Sequence, residues 1–189
     1  MKVSEDHYHS YLKKRRILGK IYRNYWLYPM ISRNIKKDEK VLDVGCGIGD
    51  FLSFKKNTYG VDINEKNVLY CLNRGLNASV MEENVLPFND SDFDCIILDN
   101  VLEHILDPEL ILQEIKRVLI DGGKVIVGVP GVKGFARDQD HKVFYDESNL
   151  INRLTNSGFS THKIFYAPFK FGWLDKNLSQ YCIYGVFIK

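Results

Sequence analysis

The stretch KVLDVGCGIGDFL (residues 40–52) decides the fold. Val41-Leu42-Asp43-Val44 is a short, mostly apolar run, and it leads directly into Gly45-Cys46-Gly47-Ile48-Gly49. A run of this length bounded by glycines reads as a buried strand followed by a tight loop. Closely spaced glycines let a backbone turn sharply and approach a ligand. The short helix expected over 49–56 then offers its free N–H groups to an anion. The next apolar run, TYGVDI (58–63), reads as a second strand and ends in a carboxylate, Asp62. In open parallel sheets ligands bind beyond the carboxyl ends of the strands. A carboxylate there can accept both hydroxyls of an adenosine ribose, so loop and acid together predict a nucleoside cofactor.

Outward from this pair, strands and helices alternate. Residues 4–36 read as helix, in two pieces with a break near Pro29. Residues 64–74 read as a helix capped by Asn64 and stopped by Gly75. Strands are expected at 78–82, 93–100 and 124–130, the fourth continuously apolar as in a sheet covered on both faces. The segment 109–120 carries apolar residues at Leu112, Ile115, Val118 and Leu119 on one helical face, with Pro108 in its first turn and Asp121-Gly122-Gly123 ending it. A helix over 146–157 closes at Gly158. Strands at 159–167 and 180–188, with no helix between them, suggest a hairpin added to the sheet edge. The expectation is an α/β, Rossmann-like, doubly wound sheet of seven strands, mostly parallel with an antiparallel last strand and helices on both faces. Residues 1–37 would form a helical lid and 38–189 the cofactor-binding domain.

The 189 residues fit one domain large enough to bury a core without disulfides. At 45% hydrophobic and 26% charged the composition excludes disorder, collagen and coiled coil. No run of 18 apolar residues suggests a membrane span. The start, MKVSEDHYHSYLKKRR, lacks the apolar centre of a signal peptide, and Glu5 and Asp6 argue against a transit peptide. The expected location is the cytoplasm. Cys46, Cys71, Cys95 and Cys182 form no C-x-x-C pair and read as buried thiols. Net charge is +2, yet residues 1–40 hold eleven Lys/Arg against four Asp/Glu. That basic head, with Tyr8, Tyr11, Tyr22, Tyr25, Trp26 and Tyr28, is expected either to touch an anionic substrate or membrane surface or to form a solvated helix face. Aromatics at Phe165, Tyr166, Phe169, Phe171 and Trp173 would wall an acceptor pocket, or fill a core or homodimer contact.

The glycine loop discriminates among cofactors. A dinucleotide fingerprint starting at Gly45 and Gly47 needs glycine or alanine at position 50, where this chain has Asp50. Asp43, two residues before the first glycine, also disfavours a diphosphate. Both acids suit a cofactor with an ammonium and a sulfonium.

The segments VLDVGCGIGDFL, GVDIN, LPFNDSDFDCIILDNVLEHILDP and EIKRVLIDGGKVIVGVP resemble, in order and spacing, the successive motifs of class I S-adenosylmethionine-dependent methyltransferases. The resemblance covers residues 38–165 and is nearest the ubiquinone/menaquinone-biosynthesis type and related sugar and small-molecule methyltransferases. It departs in the short interval between Gly49 and Asp62 and in Glu82-Glu83 where the family has Asp-Ala. It implies S-adenosylmethionine as cofactor, with Asp43, Gly45, Cys46, Gly47 and Gly49 around the methionine end. Asp62 would take the ribose, Ile63 would pack on the adenine, and Glu82, Glu83 or Asn84 would meet its amino group. Asn100 would lie near the sulfonium. Replacing Asp62 by Ala is expected to weaken binding without unfolding the domain.

For a hydroxyl acceptor a general base helps, and Glu103, His104 and His141 are the candidates. His141 follows the fifth strand in a loop that can close over a substrate, and HKVFYDESNLINRLTNSGF (141–159) also resembles sugar-modifying members. Ubiquinone O-methyltransferases and small-RNA 2′-O-methyltransferases share a Glu-x-x-Glu-His pattern that supports a divalent ion. Here Asn100 replaces its first Glu, so no metal is expected. The expected partner is a small-molecule acceptor, bearing the hydroxyl of a sugar, a lipid-linked intermediate or another metabolite. A nucleic-acid methyltransferase is the alternative, disfavoured by the lack of an Asp/Asn-Pro-Pro-aromatic motif and of a Pro-Cys nucleophile. A non-catalytic cofactor-binding module is a further alternative.

Overall fold

The computed structural model describes residues 17–189, so Tyr8, Tyr11 and the first half of the expected lid lie outside the described residues. Helix α1 (residues 17–32) runs through Ile17–Tyr22 in α geometry, Arg23–Leu27 in π geometry and Tyr28–Ser32 in α geometry again. The expected break at Pro29 is absent. Proline removes one i→i−4 bond, and the widened turn just ahead of it, with the Tyr28 N–H donating to the Arg23 carbonyl, absorbs the loss.

Strands β1 (Val41–Val44), β2 (Thr58–Asp62), β3 (Ala78–Val80), β4 (Phe93–Asp99), β5 (Leu119–Pro130), β6 (Ser160–Ala167) and β7 (Cys182–Ile188) form one sheet in the order β3-β2-β1-β4-β5-β7-β6. The first five pair in parallel, and β7 is antiparallel to both β5 and β6. The helices are α2 (Asp50–Phe54), α3 (Glu65–Leu72), α4 (Glu109–Val118), α5 (Val132–Phe135), α6 (Glu147–Asn156) and α7 (Gly172–Asn177). The chain winds outward from β1 to β3, then restarts at β4 and winds the other way. The order therefore reverses between β1 and β4, and the crevice for a ligand opens at their carboxyl ends.

Two features differ from the sequence reading. The last two strands do form an antiparallel pair at the sheet edge, β7 against β5 and β6 outermost, but α7 lies between them in sequence, where no helix was expected. Strand β5 also begins earlier than residue 124. Helix α4 stops at Val118, Leu119 already pairs with Phe93, and a register shift before Cys95 and Lys124 takes up Asp121-Gly122-Gly123 as an irregularity inside the strand. Both faces of the sheet are covered. One carries Leu42, Val44, Ile96 and Leu98 against Leu112 and Ile115 of α4 and Leu150 and Leu154 of α6. The other carries Val41, Cys95 and Ile97 against Leu27, Tyr28 and Ile31 of α1 and Phe51 of α2. Tyr28 is thus part of the core rather than a lid. All four cysteines are buried free thiols. Among the described residues no helix is long and apolar enough to cross a membrane.

Gly128 of β5 faces Tyr184 of β7, whose fully buried ring stacks on Phe165 and whose hydroxyl donates to Asp99. A Cβ at position 128 would stand 2.1 Å from that ring. Gly128→Ala is expected to cost about 1–3 kcal/mol by overpacking, read as a lower urea midpoint. An unchanged midpoint would contradict this packing.

Candidate functional site

The loop after β1 turns back on the end of β2. The amides of Gly45 and Cys46 both donate to the Val61 carbonyl, at 2.8 and 3.0 Å, and the Gly49 amide donates to the Cys46 carbonyl. Gly45 has φ +75°, and a Cβ there would lie 2.6 Å from Val101, so glycine is required on both backbone and steric grounds. The Asp62 carboxylate fastens the loop. Its Oδ2 accepts from the Gly47 amide at 2.8 Å, and its Oδ1 accepts from the Asn64 amide at 2.8 Å and from Asn67 Nδ2 at 3.3 Å. A carboxylate has about four acceptor sites, so three of those of Asp62 are already occupied by protein. Beside it Ile63 is 65% exposed, a flat apolar surface of the kind an adenine ring covers.

Asp43 and Asp99 project from β1 and β4 on the face covered by α1. Asp43 is buried, and that burial, together with the charges of Asp99 and Asp62, pushes its carboxyl well above the usual range. Asp99 Oδ1 accepts from Tyr184 Oη and from Asn100 Nδ2. Its Oδ2 lies 3.9 Å from Arg23 Nη1, which also donates to Tyr28 Oη at 3.3 Å. Desolvated carboxylates crowded in this way favour a bound cation. This is the fit that a cofactor with an ammonium and a sulfonium requires. Asn100 holds φ +58°, a backbone region asparagine tolerates better than other residues. Its carbonyl oxygen accepts from Cys182 Sγ at 3.7 Å, and its amide group donates to Asp99.

Glu82, Glu83 and Asn84 form a turn just past β3. The Val85 amide closes it on the Glu82 carbonyl, and the Met81 amide bonds the Asp62 carbonyl, which sets the turn beside the end of β2. Arg117 of α4 braces the following segment by donating to the Leu86 and Phe88 carbonyls.

On the far side of Asn100 the chain forms a single 3₁₀ turn, Leu102–His104. Glu103 is fully buried there, and neither carboxylate oxygen has a hydrogen-bond partner. Burial, with smaller contributions from Asp99 and Asp138, pushes its carboxyl up to about 8. The loop after β5 returns to the turn, with the Lys142 and Val143 amides donating to the Glu103 carbonyl. His141 is held there, stacked on Phe135, with Nδ1 2.9 Å from the Phe135 carbonyl. A carbonyl only accepts, so the proton lies on Nδ1 and the lone pair on Nε2. Nε2 faces Glu103 Oε1 at 3.7 Å and Asp138 Oδ2 at 4.0 Å. The His104 ring meets that of His141 edge-on at 4.6 Å, and burial followed by the His141 charge lowers its pKa. One donor atom each from Glu103, His104 and His141 lies within 4.8 Å of the others, a set that can also hold a divalent cation.

The structure therefore gathers the sequence candidates into two groups, Asp43, the glycine loop, Asp62 and Ile63 at the ends of β1 and β2, and Glu103, His104 and His141 around the 3₁₀ turn, with Asn100 between them. Arg23, Asn67, Asp99 and Tyr184 were not singled out from sequence. Asp99 directly precedes Asn100 and carried the signal of any acid ending a strand. Arg23, Asn67 and Tyr184 reach the site only through tertiary packing.

A family model described as a methyltransferase domain matches residues 42–127. An uncharacterized protein of Methanocaldococcus jannaschii is 30% identical over 151 residues, covering 74% of this chain and 73% of that protein. A human protein named probable tRNA methyltransferase 9B is 31% identical over 121 residues, 61% of this chain but 26% of its own length. Among solved structures, a SAM-dependent methyltransferase from Aquifex aeolicus superposes with a TM-score of 0.70 at 21% identity, covering 95% of this chain and 97% of that one.

Asp62→Ala is expected to do more than the sequence reading allowed. It strands the donors of Gly47, Asn64 and Asn67, so it should lower stability without ligand by about 1–3 kcal/mol, read by denaturant unfolding, as well as weaken cofactor binding. Stability equal to wild type would show that the three donors find other partners.

Glu103 gives a pH signature. Its folded pKa lies above the ordinary carboxylate value, so between about pH 4.5 and 8 the native state holds a proton that the unfolded state releases. Its effect therefore destabilises the fold increasingly as pH rises through that window. Glu103→Gln removes the effect, and the stability difference between variant and wild type should grow by up to about 4 kcal/mol from pH 5 to pH 8, at 1.36 kcal/mol per unit. Parallel stability curves would contradict this burial.

Proposed function

We propose that this chain, which belongs to the class I S-adenosylmethionine-dependent methyltransferases, methylates a hydroxyl of a small-molecule acceptor such as a sugar, a lipid-linked intermediate or another metabolite. The observation that carries the reading is the Glu103–His104–His141 trio beside Asn100, a set of proton-handling groups next to the cofactor crevice. S-adenosylmethionine is the cofactor. Asp43, the Gly45–Gly49 loop and Asp62 would hold it, Ile63 would cover its adenine, and one of Glu82, Glu83 and Asn84 would meet the adenine amino group. When bound, it supplies an activated methyl group to the acceptor oxygen.

The chain's own residues then have two tasks. The first is to hold the acceptor in position, which supplies much of the rate for a displacement of this kind. The second is to remove its proton. His141 is the base: the Phe135 carbonyl fixes its tautomer, leaving Nε2 to accept the acceptor's hydroxyl proton. Glu103, wholly buried, acts as a positioning residue through Nε2 rather than by touching substrate. His104, with its pKa lowered, stays neutral at pH 7 and forms the other wall beside the base. No metal is assigned to the trio in this reading.

A second reading takes a nucleic acid as acceptor. The likeness to a probable tRNA methyltransferase and the basic N-terminal head favour it.

The test supplies methyl-labelled cofactor with a panel of hydroxyl-bearing sugars and lipid-linked intermediates on one arm and transfer RNA on the other. Label in the small-molecule arm is expected, and label only in the RNA arm would replace the first reading by the second. With an acceptor in hand, His141→Ala should lower kcat by about 10²–10⁴ with cofactor affinity unchanged. A normal kcat with a raised KM would make His141 a binding residue instead. EDTA should leave the rate intact, and loss of rate restored by magnesium would make the trio metal ligands.

A further inference from the structure

Exposed apolar side chains scattered singly are ordinary, whereas a group of them marks a binding surface. Two groups meet where α1 passes the segment after β6. Ile21, Tyr25 and Trp26 of α1, and Phe169, Phe171 and Trp173 beyond β6, are each 47% exposed or more. Trp26 Nε1 donates to the Pro168 carbonyl at 3.2 Å, which joins the two groups. That bond satisfies the polar edge of the indole within the protein and leaves the rest of the ring to the surface. Ile21 and Tyr25 stand one turn apart on α1, while Leu27, Tyr28 and Ile31 of the same helix are buried in the core.

The margin of this patch is cationic. Lys20 adjoins Ile21, Lys170 lies between Phe169 and Phe171, and Lys176 follows in the last turn of α7; all three are exposed. In sequence, Lys13, Lys14, Arg15 and Arg16 run directly into α1. A basic cluster flanking exposed Trp, Tyr, Phe and Ile side chains is the pattern of segments that settle on anionic lipid. A nucleic-acid footprint is arranged differently, with basic and polar side chains at its centre to follow the phosphates. Here the centre is apolar, and Ile21, Phe169 and Phe171 have no polar edge at all.

Position in the fold gives the patch a use. Strand β6 ends at Ala167, which pairs with Cys182, and Cys182 pairs with Pro130 at the end of β5. The segment after β6 therefore sits at the carboxyl end of the sheet, as does the loop that carries His141. The Val132 amide donates to Asp175 Oδ1 at 2.8 Å, fastening α7 to the start of that loop.

We propose that this aromatic and basic patch docks the protein on an anionic membrane surface. Docking would hold the His141 loop close to the bilayer. Resting on the function proposed above, this selects a lipid-linked intermediate among the acceptors named there.

The test is co-sedimentation of the full chain with vesicles of phosphatidylcholine and phosphatidylglycerol, and with vesicles of phosphatidylcholine alone. Wild type should pellet with the anionic vesicles, less as salt is raised, and much less with the neutral ones. The triple variant Phe169→Ser, Phe171→Ser, Trp173→Ser should bind about tenfold or more weakly, with an unchanged thermal midpoint. Should that variant not fold, Tyr25→Ser decides, by a several-fold loss. Absence of binding to anionic vesicles, or equal binding by the folded variants, overturns the proposal. Transfer RNA bound by wild type and released by the same variants, or a dimer that they dissociate, would give the surface another occupant and overturns it too. No methyl transfer is measured, so failure here leaves the proposed reaction standing and removes only the preference for a lipid-linked acceptor.

Discussion

The site depends on one carboxylate. Asp62 ends β2 and takes donors from three positions outside its own strand: the Gly47 amide in the glycine loop and the Asn64 amide and Asn67 side chain at the start of α3. Without it the loop after β1 would have no anchor on its neighbour other than the bonds to Val61. Burial raises the pKa of this carboxyl, and the donors from Asn64, Gly47 and Asn67 oppose that shift. The donors that shape the loop are also the ones that favour the charged form of Asp62. A substitution there removes the acceptor of all three donors at once.

The crevice is electrostatically uneven by construction. Asp43, Asp62 and Asp99 crowd three carboxyl groups at the carboxyl ends of adjacent strands, where the sheet order reverses and two chain directions part, and burial with the neighbouring charges pushes the Asp43 carboxyl up. Packing around them is tight: Val101 leaves no room for a side chain at position 45, and Tyr184 leaves none at position 128. Around the 3₁₀ turn the arrangement differs. Glu103 is sealed without hydrogen-bond partners beside two imidazoles, and burial pushes its carboxyl up to about 8, so it keeps its proton near neutral pH.

What could be read from sequence follows the range of the interactions involved. The cap at Asn64 and the stop at Gly75 are local, and both are found: the Asn64 side chain accepts from the Lys66 and Asn67 amides, and Gly75 has φ +69°. Gly45 and Asp62 were legible because a strand, a glycine turn and a terminal acid fall within a few dozen residues. That β7 rather than β6 meets β5 was not, because Lys124 pairs with Ile188 across a separation no local pattern encodes. The internal bonds of Asp62 were hidden for the same reason, since its ties to Gly47 and Asn67 are properties of packing. Arg23 carried no signal beyond being one of many basic residues in a helical head; it reaches Asp99 only through the packing of α1 on the sheet. Helices α5 and α7, of four and six residues, are too short to show a period.

The central claim is that the Asp43–Asp62 crevice at the ends of β1 and β2 holds S-adenosylmethionine. A crystal structure of the protein with S-adenosylhomocysteine tests it most directly. The account predicts ribose hydroxyl density against Asp62, adenine over Ile63 and the amino group against Asp43. Ligand density at any other part of the sheet, with the Asp62 bonds to Gly47 and Asn64 undisturbed and no ribose beside them, would contradict it.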